Sequence, residues 1–270
     1  MPANNESRIS KAEWGSDVIV ETLRDLGVEF IALNPGATFR GVHDSIVNYL
    51  GNKNPELILC PHEEIAVAIA HGYGKAAGKP MAAYVHNVVG LLHASMAIYN
   101  AWANRSSMLV LGGTGPMAAD ERRPWIDWIH TANVQGNAVR DFVKWDDQPA
   151  SINSSVESLI RGYQITTSAP EGPVYICFDV ATQEQKIDKP FVMPDISTFP
   201  KPTRIQADLD AMNEAVNLLI SAKHPVLLAD FVGKSTEAAD SLVKLAELLA
   251  IPVISGGDLY NFPTHHPLNA

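Results

Sequence analysis

Apolar positions along the chain change period in a regular way: short continuous runs give way to longer segments where they recur every three or four residues. The first pattern suits buried strands, the second helices. Ser10 is placed to cap a helix carrying Trp14, Val18, Val20, Leu23 and Leu26, with Gly27 to end it. Strands are expected at residues 29–33, 57–60, 81–85, 108–111 and 174–178. Helices are expected at 42–50, from 63 to about 78, up to about 104, and at 156–167, with an irregular region holding Trp125, Trp128 and Trp145. This alternation predicts an α/β domain with a doubly wound parallel sheet over residues 1–182.

The pattern breaks across residues 183–204, where Pro190, Pro194, Pro200 and Pro202 interrupt a stretch with neither period. It is expected to be an interdomain linker. Residues 205–270 resume the alternation, with helices at 207–221 and 235–249 and strands at 225–228 and 252–255. Two strands and two helices are too few to close a doubly wound domain, so an incomplete second α/β domain is expected.

Composition narrows the class. With 46% hydrophobic and 19% charged residues, the chain has the make-up of a soluble globular protein. Its net charge of -10 disfavours nucleic acid or an anionic membrane as partner, because phosphates reward clustered Lys and Arg. The first eleven residues are polar and no apolar run is long enough to span a bilayer, which leads us to expect a cytoplasmic protein. Cys60 and Cys177 lie in strand-like runs and are expected to be reduced core thiols.

Candidate chemistry gathers at strand ends. Four strands finish in Asn34-Pro35-Gly36, His62-Glu63, His86-Asn87 and Gly112-Gly113. In a parallel sheet these corners share the carboxyl edge, where ligands of such architectures bind. Glycines there let backbone approach a ligand, and Glu63 and His86 supply titratable groups. Glu63 and Glu64 are also the acidic first-turn residues that a helix dipole favours, and Glu64 is read that way. Two carboxylates after Pro61 argue against a phosphate at that corner. The run Gly113-Thr114-Gly115-Pro116-Met117-Ala118 matches a dinucleotide fingerprint, opposed by Pro116 and a charged continuation, and nucleotide binding stands as a third reading. No metal site is expected: His62-Glu63-Glu64-Ile65-Ala66 lacks the second histidine of H-E-x-x-H. The other histidines, His43, His71 and His93 on helices and His265-His266 in a loop, show no ligand spacing. No Gly-x-Ser-x-Gly elbow is present.

Asn34-Pro35-Gly36, His62-Glu63 running into the Gly-rich stretch 70–80, His86 with Gly90, Asn100-Ala101-Trp102 and Gly172-Pro173-Val174-Tyr175 carry a resemblance. Together they resemble the pyrimidine-binding domain of thiamine-diphosphate-dependent decarboxylases and carboligases, a group that includes acetolactate synthase and benzoylformate decarboxylase. Pro225-Val226-Leu227-Leu228-Ala229, Leu248-Leu249-Ala250-Ile251-Pro252-Val253 and His266-Pro267-Leu268 resemble the start of that group's central domain.

The resemblance implies thiamine diphosphate as cofactor. In the family a carboxyl group bonded to the pyrimidine ring drives the tautomerisation that lets the cofactor lose its C2 proton, and the resemblance places Glu63 in that role. Pro35, Gly36 and Gly90 fall at cofactor-binding positions. Burial among apolar residues 59–70 is expected to raise the Glu63 pKa. His86 matches an active-site histidine of the benzoylformate decarboxylase branch that assists proton transfers and is absent from acetolactate synthases. Ala37 stands where that branch has a substrate-contacting serine, with Thr38 as the neighbouring hydroxyl. Tyr163, Trp125 and Trp128 are candidates either to line the cleft or to pack elsewhere. The family holds the diphosphate through Mg2+ on another domain, using Gly-Asp-Gly, which this sequence lacks; Gly256-Gly257-Asp258-Leu259 is a poor relative. The expected partners are therefore a homo-oligomer or a second subunit carrying that domain, and a 2-oxo acid or aldehyde substrate. FAD on the second domain is left open. So is a non-catalytic binding or regulatory module of the same fold, although a buried carboxylate is costly without a task.

Overall fold

A computed structural model describes residues 8–123, 125–200, 202–203, 205–257 and 259–270, with Ile126 and Trp128 described by their backbone. Contacts divide the chain into two units, residues 1–202 and 203–270. In the first, β1 (Arg8–Ile9) pairs antiparallel with a late strand described below. Six further strands, β2 (Phe30–Leu33), β3 (Glu56–Leu59), β4 (Met81–Val85), β5 (Met108–Thr114), β6 (Asp146–Asp147) and β7 (Pro173–Asp179), form one sheet. Its order is β3-β2-β4-β5-β7-β6 and every pairing is parallel. The helices of this unit are α1 (Gly15–Asp25), α2 (Arg40–Asp44), α3 (Glu63–Ala77), α4 (Asn87–Ala103), α5 (Ile126–His130), α6 (Ile152–Thr167) and α7 (Val180–Glu184).

Strand side chains sort strictly by parity, as the pleat requires. Ile31, Leu33, Tyr84, Leu109, Leu111 and Ile176 join a core with Val18, Leu23, Val42 and Leu159 from α1, α2 and α6. Ala32, Ala83, Val85, Val110 and Cys177 join a second core with Ala66, Ala70, Leu91 and Ile98 from α3 and α4. The inner strands β2, β4, β5 and β7 are therefore buried on both faces, which explains why they read as continuous apolar runs, whereas β3, apolar in sequence but at the sheet edge, leaves Leu59 66% exposed.

Three local expectations change. The first helix starts at Gly15 rather than near Ser10, because the Asp17 carboxylate accepts from the Glu13 and Trp14 backbone N–H groups, while the Ser10 hydroxyl donates to Glu21. Gly112 and Gly113 do not end their strand: β5 runs on to Thr114, with Gly112 opposite Cys177 and Gly113 opposite Phe178. These two positions need glycine for space, since a Cβ at Gly112 would lie 2.1 Å from the Tyr175 hydroxyl and one at Gly113 2.4 Å from the Thr38 carbonyl. Residues 115–123, which follow, are irregular rather than helical, so the dinucleotide fingerprint lacks the helix its phosphate grip needs. Within the segment 183–204, β8 (Val192–Met193) is the partner of β1, Gln183 and Met193 are buried, and Ile187, Phe191 and Ile196 pack on the first core. Much of that Pro-spaced stretch is thus clamped to the first unit. Proline suits it because an outlying two-stranded pairing asks little of backbone N–H groups.

The second unit contains α8 (Leu209–Ser221), β9 (Leu227–Ala229), α9 (Thr236–Leu249) and β10 (Val253–Ser255). Its two strands pair in parallel over a small core of Ala229, Ala246, Val253 and Phe262. No residue of α8 is buried. Asp258, part of the Gly-Gly-Asp run, lies outside the described residues.

Candidate active site at the carboxyl edge of the sheet

Because the sheet is parallel, Asn34 after β2, Glu63 after β3 and His86 after β4 emerge at one edge, from three strands that are direct neighbours. The chain leaves β2 for β3 on one side and returns to β4 on the other, so the corner lies where strand order reverses, the place at which open parallel sheets bind ligands.

Glu63 is the first residue of α3. His62 caps the helix by accepting the Glu64 N–H at Nδ1, 3.2 Å away. The Glu63 side chain is 7% exposed. Asn34 Nδ2 donates to its Oε1 at 3.1 Å, and His93 Nδ1 lies 3.3 Å from its Oε2. Burial pushes the carboxyl up, but its own backbone N–H, Asn34 and His93 together outweigh burial, and the net direction is down from the ordinary glutamate value. The raised value expected from the apolar sequence context is therefore corrected: this corner is apolar in its backbone neighbours and polar in its side chains. Gly90 faces the carboxylate. A Cβ there would sit 3.1 Å from both Cγ and Oε1 of Glu63.

His86 forms the other wall. Its Nδ1 lies 3.0 Å from the Thr38 hydroxyl, and Phe39 and His130 pack edge-on against the ring. Burial, then the neighbouring His130, lowers its pKa, against a smaller opposing pull from Glu63. Gly36 touches this ring: a Cβ there would fall 2.3 Å from His86 Cβ. Pro35 is exposed beside it. Asn87, which follows, is buried at φ +51° and accepts the Gln135 amide, and Gln135 in turn accepts from the Tyr175 hydroxyl. This chain anchors the β4 corner to β7.

The structure thus brings Glu63, His86, Gly36 and Gly90 to one edge. Tyr163 instead lies buried in the first core, Trp125 is exposed, and the Trp128 side chain is outside the described residues. Two clefts of this unit, of about 770 and 670 Å3, lie beside Asp179 and Arg40 and are lined by neither Glu63 nor His86. Sequence reasoning missed His93. Its signal was spacing: three residues beyond Gly90, it shares that glycine's helix face.

Residues 13–136, which include both walls of the corner, match the thiamine pyrophosphate enzyme N-terminal TPP binding domain. The chain carries that domain. An acetolactate synthase large subunit from Lactococcus lactis is 27% identical over 253 residues, 92% of this chain and 42% of the relative. A thiamine diphosphate-dependent 4-hydroxybenzoylformate decarboxylase from Rhodococcus jostii superposes with TM-score 0.79 at 22% identity, over 94% of this chain and 47% of that one. Benzoylformate decarboxylase from Polynucleobacter necessarius gives 0.78 at 22%, over 95% and 46%. The chain spans about two-fifths of the length of the curated relatives it matches. Among the described residues no helix is long and apolar enough to cross a membrane, and Cys60 and Cys177 are free and buried.

Proposed function

We propose that this chain supplies the pyrimidine-binding part of a thiamine-diphosphate-dependent enzyme that decarboxylates 2-oxo acids, ligates the resulting acyl unit to an acceptor, or both. The observation that carries the reading is the Glu63 carboxylate, buried at the switch-point corner with two side-chain donors on it and a glycine clearing the space beside it. The residues suit the cofactor, because Gly36 and Gly90 let the backbone lie directly against His86 and Glu63, where a Cβ at either position would press on those two side chains. Thiamine diphosphate, when bound, supplies carbanion stabilisation at the substrate carbon. Glu63 would hold or share a proton with a pyrimidine ring nitrogen when the cofactor is bound, with Asn34 and His93 fixing the carboxylate's orientation. Pro35, Gly36 and Gly90 would border the ring. His86, held neutral and aligned by Thr38, moves protons at the substrate, which favours decarboxylation over the acetolactate synthase reaction.

Mg2+ and the diphosphate belong, in this reading, to a domain outside these 270 residues, in a second copy or a second subunit of a cytoplasmic enzyme. The outward apolar residues Ile65, Ile69, Leu92, Met96, Tyr99 and Trp102 of α3 and α4 support such an assembly.

The test uses the native polypeptide with whatever co-purifies. Carbon dioxide release from pyruvate and benzoylformate is measured with thiamine diphosphate and Mg2+, alongside fluorescence-detected cofactor binding. Turnover that falls at least ~100-fold in Glu63→Gln is expected, the lower end for a lost acid–base group. A native species with neither cofactor binding nor turnover would leave a non-catalytic module.

A further inference from the structure

Two imidazoles and one carboxylate meet at the α3 corner in a way the linear sequence hides. His62, Glu63 and His93 each bring one ligand-type atom to within 4.8 Å of the other two. The His62 and His93 rings stack at 4.9 Å with 19° between their planes, and His93 Nδ1 stands 3.3 Å from Glu63 Oε2. We propose that these three residues form a binding site for a borderline transition cation of the Zn2+ class.

Two imidazole nitrogens with one carboxylate oxygen is a donor set that suits Zn2+, Ni2+ or Cu2+ and suits Mg2+ or Ca2+ poorly. Three ligands from two rigid helices leave a further position for water or an added ligand. The support around the ligands is already built. Asn34 holds the other carboxylate oxygen, Oε1, leaving Oε2 for the cation. The His93 side chain is 59% exposed, so it can close the last ångström and gives a cation an entry path. Two rearrangements are required. His93 Nδ1, which donates to Glu63 Oε2, gives up that proton, to its own Nε2 or to solvent, as the cation takes its place between the two atoms. His62 Nδ1 accepts the Glu64 N–H, so ligation through Nδ1 displaces that cap, and ligation through Nε2 moves the ring proton to Nδ1. In either case the Glu64 N–H turns to water, at a cost of about 1 kcal/mol.

The cation site stands on this geometry alone. One consequence rests on the proposed cofactor role of Glu63: cation and pyrimidine ring would then compete for the same carboxylate.

The test is titration of the 270-residue chain with Zn2+ alone, by calorimetry, without thiamine diphosphate. Co2+ absorption reports nitrogen ligation and Mg2+ serves as control. One saturable Zn2+ per chain is expected. His93→Asn and His62→Asn, the latter keeping a helix-capping side chain, are each expected to weaken it by about 100-fold or more, since even an outer-shell loss costs 10–100-fold. Circular dichroism checks that both variants fold. Absence of saturable binding, or binding that survives either substitution, would overturn the site. Competition is measured separately on the native enzyme: Zn2+ that binds the chain without displacing thiamine diphosphate would count against the proposed cofactor role of Glu63 and leave the three-ligand cation site standing.

Discussion

Gly36→Ala tests the β4 wall of the site directly. Gly36 has φ −155°, a conformation open to any residue, so only space forbids a side chain. The added methyl would lie 2.3 Å from His86 Cβ, 2.4 Å from Cγ and 2.7 Å from Nδ1. Carbon atoms pack at roughly 3.5–4.0 Å, so the imidazole or the 34–36 loop must move by more than an ångström. Overpacking of this kind costs about 1–3 kcal/mol. Losing the Thr38 contact to Nδ1 adds about 1 kcal/mol. Together, about 2–4 kcal/mol lowers the Tm of a unit this size by about 4–16 °C. Urea and thermal denaturation measure the loss, and NMR titration of His86 should show its pKa moving back toward the ordinary imidazole value as the ring leaves its buried seat. His86→Ala would not relieve the clash, because the nearest atom is its Cβ. In a His86→Gly background, Gly36→Ala should cost less than about 1 kcal/mol, the two effects being coupled. An unchanged Tm in the single variant, or an undiminished cost in the double one, would refute this reasoning.

The remaining predictions concern titration and reactivity. His86 is held below its ordinary pKa, first by burial and then by His130. Between the two values the unfolded chain binds a proton that the folded chain does not, so stability falls on acidification through that window. His86→Gln should flatten the slope of urea-derived stability between about pH 7 and 5, and an unaltered slope would count against the buried, neutral imidazole. Glu63, shifted downward, adds a separate loss only in more acid solution, below the ordinary glutamate value. Cys177 is fully buried and its thiol is pushed up to about 12 by burial. Ellman's reagent with mass spectrometry should find Cys60 modified first and Cys177 only as fast as the chain unfolds. Prompt labelling of folded Cys177 would contradict its place in β7.

Much of the first unit was legible because strand and helix periods were uninterrupted from Phe30 to Val110, and parallel pairing forces every strand end to one edge. Legibility failed where side chains act over long sequence distances. The Asp17 cap reset the start of α1, and space rather than a turn explains Gly112, which faces Tyr175 of β7, and Gly113, which faces the Thr38 carbonyl. The direction expected for the Glu63 pKa reversed partly for the same reason: burial raises it, and against burial stand its own backbone N–H and then Asn34 and His93, which lie 29 and 30 residues away. His93 was visible as a helical residue, yet its contact with Glu63 was not.

The adjacency of β3, β2 and β4 has one more consequence. Asn34, Glu63 and His86 are set apart by inter-strand spacing, about 4.8 Å per step, which works as a fixed ruler. Loop insertions elsewhere cannot stretch it. A slip of one residue along a strand would turn that strand's core side chains onto the opposite helices. Any drift in what this corner recognises must therefore come from exchanging the side chains mounted on the ruler, as with Ala37, Thr38 or His93, while its graduations stay where the hydrogen-bond ladder put them.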